Sequence, residues 1–322
     1  MKVLVMGAGV AGLAAAWELR RRGAHVTVVD RQDRVGGTAS WFAGGMLAPW
    51  CERESADEKV TEIGAAATDW WADILPDRVE RNGTLVVAPA RDGSELDRFA
   101  RRTAGHRTVD ETELGELEPV LSGRFRRGLF FEAEAHLDPR AAMRSLQMLL
   151  ARSGCIFRLG EDVAETDSFD AVVDCTGMAS PVDGLRGVRG EMLLLRTSGI
   201  RLSRPIRLLH PRIPVYVVPR GEGLFMVGAT MIESAADSSA SARSVMELLN
   251  AAYALHPAFG DAEIVEIGVG VRPAFADNFP RVSRHGDTIS LNGLYRHGFL
   301  LAPALAADAA AMAMGIREAA HG

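Results

Sequence analysis

The sequence predicts an α/β fold with a parallel β-sheet, and three observations support that prediction. Lys2–Met6 form a short apolar run that leads directly into a glycine-rich turn, Gly7–Gly12. An amphipathic pattern then continues to about Arg22, as is typical of a helix, and Gly23 ends it. A second apolar run, His25–Val29, completes a β-strand, α-helix, β-strand unit, in which the two strands are expected to lie parallel.

The glycine-rich turn has the Gly-x-Gly-x-x-Gly spacing of dinucleotide-binding folds. Gly7 allows the tight turn, Gly9 lets the backbone approach a pyrophosphate, and Gly12 lets the helix pack closely on the strand. The free N–H groups and the positive dipole at the start of the helix would face the phosphates. The unit is therefore predicted to hold the ADP half of a dinucleotide.

An acidic residue, Asp30, ends the second predicted strand 18 residues after Gly12. A carboxylate at this distance accepts hydrogen bonds from the adenosine ribose in dinucleotide-binding folds. The same charge would repel a 2′-phosphate, which disfavours NADP. The strand, the helix and the acid together favour a dinucleotide site over the alternative, a glycine-rich turn in an unrelated α/β fold.

Composition predicts a globular protein with a sizeable core. The chain has 322 residues, of which 48% are hydrophobic, and a net charge of −6, which argues against nucleic acid as a partner. No apolar run reaches the ~18 residues that a membrane helix needs. The nearest one, Phe299–Met314, is interrupted by Pro303 and Asp308. We therefore expect no nucleic-acid partner and no stable membrane insertion.

Cysteine and histidine usage predicts neither disulfides nor a metal site. Cys51, Cys155 and Cys175 are widely spaced and odd in number, with no Cys-x-x-Cys pair. The eight histidines form no His-x-x-x-His or His-x-His pair. The first apolar run is already the first predicted strand, so no signal peptide is predicted. These observations predict a cytoplasmic protein.

The stretch Gly36–Pro49 differs from the sequence that continues a NAD dehydrogenase after its first unit. It is a long run of small residues, predicted to be a loop whose backbone N–H groups lie against a flat cofactor. This stretch resembles the D-amino-acid oxidase family of FAD-dependent oxidoreductases, and within it the glycine oxidases of thiamine biosynthesis. In that family the equivalent loop wraps the pyrophosphate and the isoalloxazine of FAD.

Further segments continue the resemblance in the family's order, so that it spans nearly the whole chain. They are Leu137–Arg140, Asp170–Gly177, Tyr216–Arg220, Met226–Met231, Gly270–Pro273 and Leu294–Pro303. The sequence departs from the family pattern at Asp30, where Glu is commoner, and at Asp277–Pro280, where Asp-Gly-x-Pro is usual. The stretch between Cys51 and Leu137 matches no motif.

The resemblance implies FAD as the cofactor and assigns residues to its binding. Besides Gly7, Gly9, Val10, Ala11, Gly12 and Asp30, they are Arg31, Ala39, Ser40, Gly44, Gly45, Met46, Val163, Gly177, Arg296, His297, Gly298, Phe299 and Leu300. A helix is predicted to follow Gly298 and to run through Ala311, with Pro303 in its first turn. Its N-terminal N–H groups would face flavin N1 and O2, where negative charge builds up on reduction. A helix that merely caps the domain is the alternative.

Arg272 is the predicted binding residue for a substrate carboxylate. Oxidation of an amino acid requires that its carboxylate be held still, and a planar guanidinium pairs with a carboxylate through two hydrogen bonds. Arg272 lies in a predicted strand that ends at Pro273, and it matches the carboxylate-binding arginine of the family. A strand-edge arginine in a surface ion pair is the alternative.

The resemblance assigns three more residues to the substrate pocket. Tyr216 and Met231 match pocket-lining positions of glycine oxidases; Tyr216 would donate its hydroxyl to the carboxylate, and Met231 would restrict side-chain room. Plain core positions are the alternative for both. Arg296 matches a position whose backbone carbonyl faces the substrate amine. No general base is predicted, because His297 has no evident carboxylate partner and is expected to be structural.

The cofactor motifs are spread along the whole chain, so the predicted fold is an FAD-binding Rossmann-like domain that is discontinuous, with an α+β substrate domain. The FAD-binding domain is assigned residues 1–76, 137–184 and 268–322, and the substrate domain residues 77–136 and 185–267. An antiparallel sheet is predicted for the latter, from alternating strands at Arg189–Arg196, Tyr216–Pro219 and Leu224–Gly228. The turn Arg220–Gly223 is predicted to make a hairpin.

The resemblance implies an oxidase that converts glycine or a similar small amino acid to the imine by hydride transfer to flavin N5, with O2 reduced to hydrogen peroxide, in thiamine thiazole biosynthesis. One alternative is a D-amino-acid or N-methyl amino acid oxidase or dehydrogenase of the same family. Another is a catalytically silent FAD-binding protein used as a sensor or an assembly partner. The expected partners are a small amino acid and O2, and the sequence leaves a homo-oligomer open.

Overall fold

The structure is a computed structural model that describes residues 1–35, 39–162, 166–210 and 214–315. Its strands in chain order are β1 (Lys2–Met6), β2 (His25–Asp30), β3 (Met46–Leu47), β4 (Val79–Glu80), β5 (Thr84–Val87), β6 (Arg107–Asp110), β7 (Arg127–Phe131), β8 (Ala135–Leu137), β9 (Ile156–Leu159), β10 (Ala171–Asp174), β11 (Arg186–Arg196), β12 (Ile206–Leu208), β13 (Val215–Pro219), β14 (Leu224–Gly228), β15 (Ile232–Glu233), β16 (Glu263–Ala274), β17 (Arg281–His285) and β18 (Thr288–Asn292). Its α-helices are α1 (Val10–Arg21), α2 (Pro49–Glu52), α3 (Glu58–Gly64), α4 (Ala67–Ile74), α5 (Gly93–Arg102), α6 (Glu111–Leu117), α7 (Pro139–Arg152), α8 (Ala242–Leu255) and α9 (Gly298–Ala313).

The first sheet has the strand order β17-β18-β10-β1-β2-β9. Neighbouring strands are parallel except for β17, which pairs with β18 in the antiparallel direction. β1 lies between β2 and β10, so that Val3 is opposite both Val26 and Ala171. The direction in which the chain adds strands reverses at β1, and ligands of such sheets bind beyond the carboxyl ends of the strands at this point. The predicted β1-α1-β2 unit is confirmed.

Helices α1 and α9 cover one face of this sheet and pack against each other. Small side chains allow the close approach, because Ala14, Ala15 and Ala16 of α1 and Ala306 and Ala310 of α9 are fully buried. Alanine loses no side-chain entropy on burial. The Ala-rich stretch near the C-terminus is therefore a core helix.

The prediction that Pro303 lies in the first turn of α9 is wrong. α9 begins at Gly298, so Pro303 lies in its interior, where it has no N–H to donate to the carbonyl of Phe299. That carbonyl instead accepts a hydrogen bond of 2.9 Å from Nε1 of Trp71 on α4. A buried indole therefore satisfies the backbone group that the proline leaves unpaired.

The second sheet has the order β15-β11-β14-β13-β12-β5-β7-β6, and β16 also pairs with β11. Its pairs are antiparallel except for β12 with β5, which come from separate segments and run parallel. The predicted hairpin is confirmed, since β13 and β14 pair with Val217 opposite Val227 across the turn Arg220–Gly223. β11 is buried along nearly its whole length, as is typical of a strand covered on both faces.

The prediction of a long loop at Gly36–Pro49 holds only in part. Ala39–Phe42 form a 3₁₀-helix, and Met46–Leu47 form β3, which joins β8 and β4 in a small third sheet. Pro49 is the first residue of α2, a position that suits its fixed φ. Gly36, Gly37 and Thr38 lie outside the described residues.

The predicted division into two domains stays a prediction, as do the cytoplasmic location and the homo-oligomer. β16 runs across residue 268, at which the last segment of the predicted FAD-binding domain begins.

Three further findings concern only the part of the chain that the structure describes. It contains no helix that is both long and apolar enough to cross a membrane. It contains no group of three or more acidic, cysteine or histidine side chains that could hold a metal ion. Its three cysteines are buried and free.

Candidate active site

A cavity of about 650 Å³ begins beyond the carboxyl ends of β1, β2 and β10 and extends to the second sheet. Its wall includes Gly9 in the turn after β1 and Asp30 on β2, and Tyr216 on β13 and Arg272 on β16 from the second sheet. The volume lies within the range of ligand and cofactor sites. The cavity therefore connects the predicted nucleotide site with the predicted substrate site.

Nearly all the predicted site residues that the structure describes line this cavity. They are Gly7, Gly9, Val10, Ala11, Asp30, Arg31, Ala39, Ser40, Gly44, Gly45, Met46, Gly177, Tyr216, Met231, Arg272, Arg296, His297, Gly298, Phe299 and Leu300. Gly12 does not line it; a Cβ at this position would overlap the carbonyl oxygen of Gly7, in keeping with the packing role expected of the third glycine. Val163 lies outside the described residues.

The glycine-rich turn has a geometry that requires glycine. Gly7 has φ +99°, a region that only glycine adopts without strain, and a Cβ there would lie 2.6 Å from the carbonyl oxygen of Cys175. Gly9 is the N-cap of α1. The N–H of Val10 donates to the hydroxyl of Ser40 (3.2 Å), whose own proton is left for another acceptor. The turn thus directs the positive end of α1 into the cavity.

Asp30, at the end of β2, connects the turn to the cavity wall. Its carboxylate accepts a hydrogen bond from the N–H of Ala8 (2.6 Å) through one oxygen and from the N–H of Gln32 (2.8 Å) through the other. A carboxylate has about four lone-pair positions. Both oxygens can therefore still accept from the hydroxyls of a ribose.

The loop before β3 is held in place by Arg220. Its guanidinium donates to the carbonyl oxygens of Ala43 (3.0 Å), Gly44 (2.8 Å) and Leu137 (2.8 Å). Gly45 has φ +69°, and a Cβ there would overlap the carbonyl oxygen of Leu137. Burial lowers the pKa of Arg220 to about 10, so this side chain is charged at neutral pH. The sequence carries no sign of this contact, since Arg220 only marks a hairpin turn.

The start of α9 forms another part of the cavity wall. His297 is its N-cap, and a Cβ at Gly298 would lie 3.2 Å from Cγ1 of Val10 at the start of α1. The N-termini of both helices are therefore close to the cavity, and each favours negative charge. These features fit FAD, which has an anionic pyrophosphate and a ring that gains negative charge on reduction.

Arg272 lies on β16 and lines the cavity. β16 continues to Ala274, so the strand does not end at Pro273 as predicted. Nη1 of Arg272 donates to the carbonyl oxygen of Thr230 (3.1 Å), and the guanidinium packs over Gly190, where a Cβ would overlap it. A fixed guanidinium beside the cavity is what carboxylate binding requires.

The charge of Arg272 has no carboxylate within 4.0 Å among the residues that the structure describes. Burial lowers the pKa of Arg272 to about 10, and the charge of Arg296 lowers it as well, whereas Tyr295 and Tyr216 raise it. The group therefore stays protonated at neutral pH. A desolvated cation beside a cavity is stabilised by an anionic ligand.

Glu52, at the end of α2, is a buried carboxylate that also lines the cavity. One oxygen accepts hydrogen bonds from the hydroxyl of Tyr216 (2.9 Å) and from Nη2 of Arg296 (3.0 Å). The other oxygen lies 2.9 Å from the same nitrogen and 3.3 Å from Nδ1 of His297. Nη2 of Arg296 also donates to the Tyr216 oxygen (2.7 Å), and Nη1 of Arg207 lies 3.9 Å from the carboxylate.

The protonation states in this cluster follow from burial and from its charges. Burial alone would raise the pKa of Glu52. The positive charges around it, Arg296 above all, outweigh burial and lower the pKa to about 2, so the carboxylate is ionised. Burial lowers the pKa of His297 to about 4 although Glu52 raises it, so the imidazole is neutral at neutral pH. Burial raises the pKa of Tyr216 well above its usual value, so its hydroxyl keeps its proton.

The cluster changes two sequence-based expectations. His297 does have a carboxylate neighbour, contrary to prediction, because the fold brings α2 to the start of α9. The Tyr216 hydroxyl donates a hydrogen bond to Glu52, whereas the resemblance implied a hydrogen bond to the substrate carboxylate. Glu52 and Arg207 are not predicted from the sequence, since neither belongs to a motif. One signal in the sequence could have indicated Glu52: it directly follows the apolar residues Pro49–Cys51, which favours burial. A buried carboxylate needs a charged partner, so a cationic neighbour could have been expected.

Met231 lies where the cavity meets solvent. Its side chain is half exposed, and its sulfur accepts weak hydrogen bonds from the Tyr295 hydroxyl (3.4 Å) and from Nη1 of Arg296 (3.5 Å). These three side chains narrow the substrate end of the cavity.

Comparison with known proteins also points to FAD as the cofactor that this cavity fits. A family model described as FAD dependent oxidoreductase (DAO) matches residues 2–312. A Rhizobium etli protein named "Putative thiamine biosynthesis oxidoreductase ThiO" is 59% identical over 313 residues, which cover 96% of this chain and 95% of that protein. Glycine oxidase of Pseudomonas aeruginosa is 27% identical over 342 residues, 94% of this chain and 92% of that protein. The crystal structure of glycine oxidase from Geobacillus kaustophilus superposes with a TM-score of 0.83 at 21% identity, covering 98% of this chain and 95% of that one.

These findings confirm the predicted α/β fold class, and they confirm FAD as the cofactor of the family. The family match extends over almost the entire chain, from β1 to α9. The chain therefore belongs to the D-amino-acid oxidase (DAO) family of FAD-dependent oxidoreductases.

Proposed function

We propose that the protein oxidises glycine or a similar small amino acid to its imine, with O2 reduced to hydrogen peroxide. FAD, when bound, supplies at N5 the acceptor for the hydride that leaves the substrate Cα, and it passes the electrons on to O2. The observation that carries the proposal is the Arg272 guanidinium, a cation beside the cavity without a carboxylate neighbour among the described residues.

The proposed role of Arg272 is to hold the substrate carboxylate through two N–H groups. Its bond to the carbonyl oxygen of Thr230 fixes the plane of the guanidinium and uses one of five donors. A carboxylate held in this way also holds the substrate Cα, to which it is bonded. Such positioning lowers the entropic cost of reaching the reactive geometry.

The side chains around Arg272 favour a small substrate. Tyr216 is tied to Glu52 and Arg296 by hydrogen bonds, so it cannot rotate away without breaking them. Met231 lies at the solvent side and limits the room beyond the Cα. Glycine, which has no side chain, needs no rearrangement of these residues.

Of the described residues in the Glu52 cluster, neither Glu52 nor His297 can act as a strong base toward the substrate amine. The pKa of Glu52 is about 2 and that of His297 is about 4, both far below neutral pH. We propose that the amine reacts in its neutral form after losing a proton to solvent. The backbone carbonyl of Arg296 is the proposed acceptor for an amine N–H.

We place this activity in thiamine thiazole biosynthesis, on the strength of the 59% identity with the Rhizobium etli protein. A D-amino-acid or N-methyl amino acid oxidase or dehydrogenase is the second candidate. The half-exposed side chain of Met231 favours it, because a methionine that moves outward would admit one methyl group more.

An anaerobic titration of the FAD-loaded protein tests the proposal. Glycine, sarcosine and D-alanine are added separately while the flavin absorbance is followed, and O2 is then admitted. We expect glycine to bleach the flavin at the lowest concentration, and O2 to restore the absorbance with release of equimolar peroxide. Preference for sarcosine or D-alanine supports the second candidate, and slow reoxidation by O2 supports a dehydrogenase. No bleaching with any of the three contradicts both.

A further inference from the structure

The substrate end of the cavity contains more charge than carboxylate binding requires. Arg207, Arg272 and Arg296 all line it, together with the carboxylate of Glu52. Arg296 has both oxygens of Glu52 within 3.0 Å, and Arg207 lies 3.5 Å from Glu54 and 3.9 Å from Glu52. Of the three guanidinium groups, Arg272 has no carboxylate within 4.0 Å in the described part of the chain. The pocket thus offers one cation that is free to bind an anion.

We propose that Glu52 sets the charge of the substrate pocket and thereby selects amino acids with one carboxylate over those with two. The inference rests on the proposed function, in which Arg272 binds the substrate carboxylate. Because Glu52 occupies Arg296, the described residues at this end of the cavity leave one unit of positive charge for ligands. This charge matches a small amino acid with a neutral amine, which has one negative charge.

The position of Glu52 is fixed by its surroundings, so it is not readily displaced by a ligand. Its carboxylate is buried, accepts hydrogen bonds from Tyr216 and Arg296, and contacts His297. A second substrate carboxylate that approached Arg296 would therefore lie beside the charge of Glu52. Two carboxylates in one poorly solvated site repel each other strongly. Amines with two carboxylates are the class of substrate that this arrangement excludes.

An ion pair with a purely structural role would affect stability without changing the preference for ligand charge. Acetate and malonate distinguish the two roles, because they differ by one carboxylate and neither can be oxidised as an amine. Their dissociation constants for the FAD-loaded protein are measured from the change in flavin absorbance. The quantity of interest is the ratio of malonate affinity to acetate affinity.

Glu52→Gln keeps the size of the side chain and removes its charge, which frees Arg296. We expect the malonate-to-acetate affinity ratio to rise at least about tenfold. Glu52→Asp keeps the charge, but its side chain is one methylene shorter, so the carboxylate lies farther from Arg296. The malonate-to-acetate ratio is therefore expected to rise by less than in Glu52→Gln. The matched control is Glu58→Gln on α3, which removes an exposed carboxylate that does not line the cavity and is expected to leave the ratio unchanged.

An unchanged ratio in a Glu52→Gln protein that retains FAD and the wild-type melting temperature overturns the inference. If Glu52→Gln does not fold, Glu52→Asp decides the matter, and an unchanged ratio there overturns it. Failure of the proposed function has a different signature: glycine then does not reduce the wild-type flavin, while the affinity ratio still reports on Glu52.

Discussion

The nucleotide end and the substrate end of the cavity are built in different ways. At the nucleotide end the turn and the acid lie in the continuous stretch from Gly7 to Asp30, and backbone conformation determines their geometry. At the substrate end Glu52 meets Tyr216 and Arg296, which are 164 and 244 residues away along the chain. The nucleotide end should therefore lose its structure when a Cβ is added to one of its glycines, and the substrate end should lose its ligand binding or selectivity when a single charged side chain is removed. Four substitutions test this difference.

Arg272→Met is expected to have the largest effect. It removes the proposed partner of the substrate carboxylate, so kcat/KM for glycine should fall at least about 10³-fold, or about 4 kcal/mol, with FAD retained. Peroxide release and flavin absorbance are the measurements. The control, Arg186→Met, removes an arginine of β11 that pairs with Glu233 outside the cavity, and it should stay near wild type. Glycine turnover at the wild-type rate in Arg272→Met would show that the substrate end is assigned wrongly.

Gly12→Ala tests the nucleotide end. The added methyl would overlap the carbonyl oxygen of Gly7 and separate α1 from β1, so we expect a loss of about 3 kcal/mol or more in unfolding free energy, together with loss of FAD. Thermal unfolding and the retained flavin are measured. Gly93→Ala is the control, because a Cβ there has its nearest neighbour at 3.6 Å. A Gly12→Ala protein with wild-type FAD content would contradict the packing role of this glycine.

The same difference explains how much the sequence predicts. The bounds of β1 and β2 and the end of α1 are predicted to within one residue, because glycine spacing and apolar periodicity are local signals. Glu52 is missed because its partners are distant in the chain and its own neighbourhood matches no motif. Pro303 is misplaced for the same reason: the indole that compensates for it, Trp71, is 228 residues from Phe299. Arg272 is predicted from the sequence as a candidate carboxylate-binding residue, but only the fold shows that no carboxylate of the described residues lies within 4.0 Å of it.

Glu134→Gln tests the buried carboxylate that holds the backbone beside Glu52, at the substrate end of the cavity. The Glu134 carboxylate accepts a hydrogen bond of 2.7 Å from the N–H of Cys51, the residue before Glu52. Burial raises the pKa of Glu134 from 4.5 to about 7. A folded-state pKa above the unfolded one contributes stability that is complete below pH 4.5 and is lost as the pH rises through about 7.

Wild type should therefore lose about 3 kcal/mol relative to Glu134→Gln between about pH 4 and pH 8. Urea unfolding at a series of pH values measures the difference. The nearby exposed residue provides the control, since Glu132→Gln should leave the pH dependence unchanged. A constant difference between wild type and Glu134→Gln across this range would show that folding does not raise the pKa of Glu134.

Trp71→Phe is expected to have the smallest effect. It removes the donor to the Phe299 carbonyl beside Pro303, which should cost about 1–2 kcal/mol of unfolding free energy. Trp17→Phe is the matched control, because the Trp17 Nε1 is buried and has no hydrogen-bond partner among the described residues, so none of the described bonds is lost. Equal losses in the two variants, measured by urea unfolding, would mean that the hydrogen bond to α9 contributes nothing.

Acetate binding is the measurement that shows whether Arg272 binds the carboxylate of the substrate, as proposed. The acetate dissociation constant is measured for FAD-loaded wild type and for FAD-loaded Arg272→Met, from the change in flavin absorbance and without turnover. We expect saturable binding to wild type and a dissociation constant at least about 100-fold higher in the variant. Equal dissociation constants in two proteins that both hold FAD would contradict the claim.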